Sequence, residues 1–295
     1  MPCLGWAAEP TGPVAILLSN SEDAYSQPVA AFRQEINLPV QIFNLEGDIK
    51  NDPTLKDRLL NSHPSLIFAL GAKAAYLAKI WTGNHQEIPV IFTMVLNWQR
   101  YDLLDQRNMV GIATELAPGT QFANLTIFSP KVRRIGVIHS SYSSQIIKQA
   151  QQAAALLGLE LIDVSVERTS DFRRAFKKLS SQVDAFWILN DPLIYTLDNM
   201  DWLEQRCIQE KLLCVGQTTN SAKMGFALAI NPDIQHIGNQ AAAIAKNIII
   251  HGQPPKEIGV MPPLATLIYL NLGTAQQIGL RLSPEAMDMA TSLIQ

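Results

Sequence analysis

"IPVIFTMVLNWQR", residues 88–100, is the stretch on which the fold turns. Val90, Ile91, Phe92, Met94 and Val95 form an apolar run without alternation. Such a run suits a strand covered on both faces, as in a parallel sheet. It then breaks, with no Gly or Pro, into Asn97, Trp98, Gln99 and Arg100. A large aromatic and three hydrogen-bonding side chains placed directly after a core strand belong at the edge of a sheet, where a cleft could use them.

Similar runs recur on both sides of this stretch: 14–19, 40–44, 66–70, 111–114, 134–140, 159–166, 185–191, 212–217, 226–230 and 268–271. Helical periodicity fills the gaps. Phe172, Ala175, Phe176 and Leu179 fall at i, i+3, i+4 and i+7; Ile234, Ile237, Ala241, Ile244 and Ile248 make one stripe; Ile146, Ala150, Ala153 and Leu157 make another, with Gly158 as the stop. Strand and helix alternate, so the class is α/β with right-handed crossovers.

These strands, eleven with 90–95, are many for one open sheet with helices on both faces. Two Rossmann-like lobes with parallel sheets, joined by three crossings, are expected. Lobe one takes residues 13–115 plus 236–258 and lobe two 118–233 plus 264–295. Pro118-Gly119 starts a new helix after the first crossing, and the Pro-rich segment 253–270 passes between lobes in extended form.

Composition narrows the function. A 47% hydrophobic fraction with 17% charge excludes a disordered chain, and a net charge of −3 shows no footprint for nucleic acid or an anionic membrane. No window reaches the roughly 18 apolar residues of a membrane span. The five histidines are scattered without metal spacing, and His139 reads as structural. No GxGxxG, GxxxxGK[ST] or GxSxG is found, so neither a cofactor nor a metal is expected. Cys207 and Cys214 are read as buried, reduced and structural, with a disulfide as the alternative. Residues 1–12 read as the remnant of an export signal or as a frayed terminus, the small residues Gly5 and Ala7 resembling the end of such a signal.

Ligands of open α/β sheets bind beyond the carboxyl ends of the strands. The residues found there are Ser19 and Asn20; Gly71, Ala72 and Lys73; Asn97 and Trp98; Ser141, Tyr142 and Ser143; Asn190 and Asp191; and Gln217 and Thr218. They are mostly hydroxyls, amides and N–H groups at helix starts, which bind well and catalyse poorly. Two readings stay open at two of them. Trp98 either lines a cleft or plugs the lobe's core, and Asp191 either selects a charged ligand or starts the helix after Pro192 as an N-cap.

The ordered passages "LIFALGAKAA", "IPVIFTMV", "NMVGIATELAPGTQFANL", "VRRIGVIHSSYSSQ", "GLELIDVSV", "DAFWILND" and "IIIHGQPPKEIGV" resemble the ABC-transporter substrate-binding family whose better-studied members bind aromatic and other amino acids. The resemblance spans about residues 13–285. It implies the type I periplasmic binding protein fold, with most of the strand-end residues named above enclosing a small-molecule ligand. It also implies an extracytoplasmic location, a membrane permease as partner, a monomer and no nucleic acid. The chain departs from the family at Ala72, at Leu96-Asn97-Trp98 and at Gly216-Gln217-Thr218-Thr219, where a hydroxyl and two acids are missing. A ligand-sensing module is the second reading, and a cytoplasmic α/β enzyme the third.

Overall fold

The computed structural model describes residues 12–294. The reading of residues 1–12 as an export-signal remnant therefore lies, but for Gly12, outside the described residues. The chain forms two compact units. One holds the chain up to Glu115 together with Pro232–Ala265; the other holds Leu116–Asn231 and the chain from Thr266 onward.

Unit one begins with β1 (Val14–Leu18), α1 (Ser26–Ile36), β2 (Val40–Asn44), α2 (Leu55–Asn61), β3 (Leu66–Leu70), α3 (Ala72–Trp81), β4 (Val90–Thr93) and β5 (Met109–Ile112). Unit two follows with α4 (Pro118–Phe128), β6 (Arg134–His139), α5 (Ser144–Leu156), β7 (Glu160–Ser165), α6 (Phe172–Leu179), β8 (Ala185–Trp187), α7 (Leu197–Gln209), β9 (Leu213–Gly216), α8 (Thr219–Lys223) and β10 (Leu228–Pro232). The chain returns to unit one for α9 (Ile234–His251), α10 (Pro255–Ile258) and β11 (Val260–Met261). It ends in unit two with β12 (Thr266–Asn271), α11 (Leu272–Ile278), α12 (Pro284–Met289) and β13 (Ser292–Ile294).

The sheets run β11-β5-β4-β3-β1-β2 and β13-β12-β10-β9-β8-β6-β7. Parallel registers join β2 to β1, β1 to β3, β3 to β4 and β4 to β5, and in the other unit β7 to β6, β6 to β8, β8 to β9 and β9 to β10. In each sheet the order reverses beside the first strand, between β1 and β3 and between β6 and β8. A crevice at the carboxyl edge is built into such a reversal.

The central strands are buried along their whole length because helices cover both faces. In unit one, Phe32 and Phe68 stack at 4.5 Å on one face, and Trp81, Phe92 and Leu103 fill the other. Helix α9 packs on α1, and Gly238 makes this close approach possible. A Cβ there would stand 2.3 Å from the Pro28 carbonyl oxygen. In unit two, Phe122 meets Trp187 edge-on at 5.2 Å, and the Trp187 indole N–H donates to Gln121 Oε1 at 2.8 Å, so a buried donor is satisfied.

Several expectations need correction. Strand β4 stops at Thr93, because Met94 takes a left-handed φ of 58° and turns the chain. β5 lies two residues earlier than 111–114, and β8 covers only the first three residues of 185–191. The segment 253–270 is not simply extended: Pro254-Pro255 nucleate the single turn α10, and β11 then pairs with β5. β11 and β13, two and three residues long, were not anticipated. The buried stripe of α5 is Ile147, Ala150 and Ala154; Ile146 and Ala153 flank it, and Leu157 is exposed.

The cysteines are also corrected, since Cys207 and Cys214 form a disulfide. Helix α7 ends at Gln209, and Lys211 in the left-handed region (φ 53°) reverses the chain into β9. That reversal brings the two Cα atoms to 6.2 Å, within bridging range. Both cysteines are buried, as expected.

Candidate functional site

The reversal in unit one is built around Ser19. Its hydroxyl donates to the Leu70 carbonyl at 3.0 Å and accepts the Ala74 N–H at 3.0 Å. It thus ties the exit of β1 to the first turn of α3. Gly71, the N-cap of α3, has φ 90°, and a Cβ there would strike the Tyr25 hydroxyl and Ser19 Oγ. No residue with a side chain fits this position. Burial, and then the Glu22 carboxylate, push the Tyr25 hydroxyl up, while its hydrogen bond to Ser19 acts the other way. The first N–H groups of α3, on Ala72 and Lys73, lie beyond the reach of the helix's own ladder. The Lys73 ammonium is turned away from them and donates to the Gly47 carbonyl. Asn20 is spent locally on Glu22, through both its amide nitrogen and its oxygen.

The exit of β4 resolves the opening stretch. Asn97 is left-handed (φ 48°) and starts a 3-10 turn over Trp98–Tyr101. The turn carries Trp98 back over its own strand. The indole is half-buried, packed on the core that holds Leu103 and Met109, with its centroid 6.3 Å from Phe92. Trp98 therefore closes one face of unit one's core while keeping part of its surface open.

Two residues at the exit of β5 escaped the sequence reading. Thr114 Oγ1 is buried without a hydrogen-bond partner. Glu115 is half-buried; burial raises its pKa, and the Asn97 N–H opposes that shift. Both lie within "GIATELAPG", read from sequence as a short strand leading into a crossing.

In unit two the reversal is built around Asp191. This carboxylate has no exposed surface. It accepts from Ser140 N at 2.9 Å, Ser140 Oγ at 2.8 Å, Ser143 Oγ at 2.7 Å and Leu193 N at 2.9 Å. Burial alone would raise its pKa, but the hydrogen bonds from Ser143, Ser140 and Leu193 outweigh burial and the net shift is downward. Asp191 is thus an internal brace. The N-cap reading holds in part: the carboxylate accepts the Leu193 N–H, but only a turn follows Pro192, and α7 is capped by Thr196. Ser143 is consumed in the same brace.

Ser141 and Tyr142 are exposed, and Asn190, next to Asp191 in sequence, is half-buried. At the exit of β9, Thr218 caps α8 through Ser221 N, and the Tyr195 hydroxyl lies 3.4 Å from Thr218 Oγ1. Tyr195 was not anticipated, because it sits in a turn with no periodic signal. Gln217 is 8% exposed, and its Nε2 is buried with no partner. His139 bonds Asp163 at 3.1 Å and is structural, as read. Among the described residues no helix is long and apolar enough to cross a membrane, and no group of three metal-ligating residues occurs.

Each unit's edge offers amides, hydroxyls and N–H groups, with a buried polar atom left unpaired in each, Thr114 Oγ1 in unit one and Gln217 Nε2 in unit two. The family model for ABC transporter substrate binding proteins matches residues 32–294. No curated protein sequence matches the chain. Among solved structures, a ligand-free, open substrate binding protein with adhesive properties from Clostridium difficile, CD0873, superposes with a TM-score of 0.80 at 16% identity, covering 97% of this chain and 99% of that one. An ABC domain in complex with L-Trp from Streptococcus pneumonia gives 0.63 at 18%, covering 95% and 100%. A conserved domain protein from Vibrio cholerae gives 0.64 at 18%, covering 96% and 99%. At these identities the likeness is one of fold, the type I periplasmic binding protein architecture.

Proposed function

The chain belongs to the ABC transporter substrate binding protein family, and from that premise we propose that it is an extracytoplasmic solute-binding protein that closes its two units on a small molecule and delivers it to a membrane permease. The observation that carries the reading is Gln217 Nε2. A buried amide donor without an acceptor costs about 1–3 kcal/mol. It stands at the exit of β9, where open α/β sheets take their ligands. A solute's acceptor atom would satisfy it.

The other contacts come from the strand-end groups of each unit. Unit one contributes the Ala72 and Lys73 N–H groups, Asn97 and the open part of Trp98. Unit two contributes Ser141, Tyr142, Asn190 and Thr218. Ser19, Gly71, Ser143 and Asp191 shape the loops that present them. Affinity comes from enclosure plus a few directed hydrogen bonds, and closure is a hinge motion. The Cys207–Cys214 disulfide supports an oxidising compartment.

The test is ligand release. Full-length protein is purified, denatured, and its small molecules are identified by mass spectrometry. The compound found is then titrated back by calorimetry. A stoichiometric solute whose affinity drops about tenfold in Gln217→Ala is expected. Turnover of the compound, or equal affinity in wild type and variant, defeats the reading.

A further inference from the structure

We propose that Glu115 selects the solute, pairing with the positive charge of a small organic amine at the carboxyl edge of unit one's sheet, while Thr114 supplies the adjacent hydrogen bond. The inference rests on the solute-binding reading and names the chemical class that reading leaves open.

Charge is sparse at the strand exits. The exits of β1, β3, β4 and β5 in unit one, and of β6, β8 and β9 in unit two, comprise residues 19–21, 71–73, 94–98, 113–115, 140–143, 188–191 and 217–219. They contain two acids, Glu115 and Asp191, and one cation, Lys73. Asp191 has every oxygen engaged by its own loops. Lys73 is committed to the Gly47 carbonyl. Glu115 is left: half-buried, met by the Asn97 N–H, and without a Lys, Arg or His counter-ion among the described residues. The unspent charge of these exits is therefore a single negative one.

A carboxylate held partly out of water without a partner is unfavourable, and burial is the largest influence on this one. A ligand cation would relieve that cost, which makes the residue selective as well as attractive. The neighbouring Thr114 Oγ1, buried and unpaired, is a second polar atom awaiting a partner. Within the residues counted no cationic side chain is left to favour a ligand carboxylate, and Arg100, beyond Trp98 in the same loop, has an interaction of its own. The edge thus fits an amine with net positive charge better than a zwitterion, and a zwitterion better than an acid.

The experiment uses the full chain and matched trios of compounds: tryptamine, L-tryptophan and indole-3-propionate; tyramine, L-tyrosine and the corresponding phenolic acid. Putrescine, neutral sugars and a general metabolite library complete the set. Binding is read by thermal shift and then calorimetry. The amine of a trio is expected to bind best. Glu115→Gln should weaken it by about tenfold or more, and Glu115→Asp should recover part of the loss. If an acid or a neutral sugar binds best, or if Glu115→Gln holds the amine within about twofold of wild type, the inference is overturned while the solute-binding reading stands. If nothing in the library binds, the solute-binding reading falls and the inference falls with it.

Discussion

The two chain reversals perform the same task with different chemistry. In unit one a neutral hydroxyl, Ser19 Oγ, ties β1 to α3 through one carbonyl and one N–H. In unit two a buried carboxylate, Asp191, gathers donors from Ser140, Ser143 and Leu193. Bonds to an ionised acceptor are roughly twice as strong as neutral ones, and a buried ion that loses them is far costlier to keep. Unit two's loops are therefore tied together by a buried charge whose oxygens are already engaged. Unit one's loops are tied by fewer bonds, and its strand-exit acid, Glu115, is met only by the Asn97 N–H. An acid at a sheet edge cannot be assigned to a ligand until its existing partners are counted.

The comparison breaks most readily at the braces. Asp191→Ala leaves the buried Ser140 N–H and hydroxyls and the half-buried Leu193 N–H without their acceptor and should cost about 3–4 kcal/mol in unit two. Ser19→Ala removes a capping hydroxyl and should cost about 1–2 kcal/mol in unit one. Denaturant unfolding of the full chain, followed by hydrogen exchange to assign each transition to its unit, measures both. Equal losses would mean that the buried charge adds nothing to the brace. The disulfide sharpens the contrast, since unit two carries it. By loop-closure entropy a bridge across so short a loop contributes about 2–3 kcal/mol. Cys207→Ala with Cys214→Ala should lower only unit two's transition, and a shift in unit one would contradict the separation of the units.

How much of this was legible follows from what each signal depends on. Apolar runs and helical stripes are local, so eleven strand positions and helices such as α6 and α9 could be placed from sequence. Short strands such as β11 and β13 have no local signal, because their neighbours in the sheet create them. Left-handed turns at Met94 and Lys211 were invisible for a different reason: non-Gly residues adopt that region only when packing imposes it. Lys211 is what brings the cysteines together. The strand-end rule found the loops, but the partners of their side chains arrive from distant segments. Asp191 meets Ser140 across 51 positions, so a residue that looked free in sequence is fully occupied. Glu115, which looked like part of a crossing, is half-buried and bonded to the Asn97 N–H across 18 positions.

Acid should act on the two units with opposite signs at these two residues, and this is the smallest effect expected. The folded-state pKa of Asp191 is depressed, because its hydrogen bonds outweigh burial. Its contribution is complete above the unfolded carboxyl value near 4 and is lost as pH falls through the lower folded value. Glu115 is raised by burial, against the Asn97 N–H. Its contribution is complete below the unfolded value and is lost as pH rises through the higher folded value, so at neutral pH the ligand-free charge destabilises unit one. Other depressed carboxylates, Asp52 and Asp184 among them, titrate in the same acid range, so the comparison must be made against variants. The stability gap between wild type and Asp191→Asn should shrink as pH is taken from 7 towards 3. Glu115→Gln should be slightly more stable than wild type at pH 7 and no more stable at pH 4. A Glu115→Gln protein that is less stable at neutral pH would show that the Asn97 N–H outweighs burial, and that this carboxylate is as internal to its unit as Asp191 is to the other.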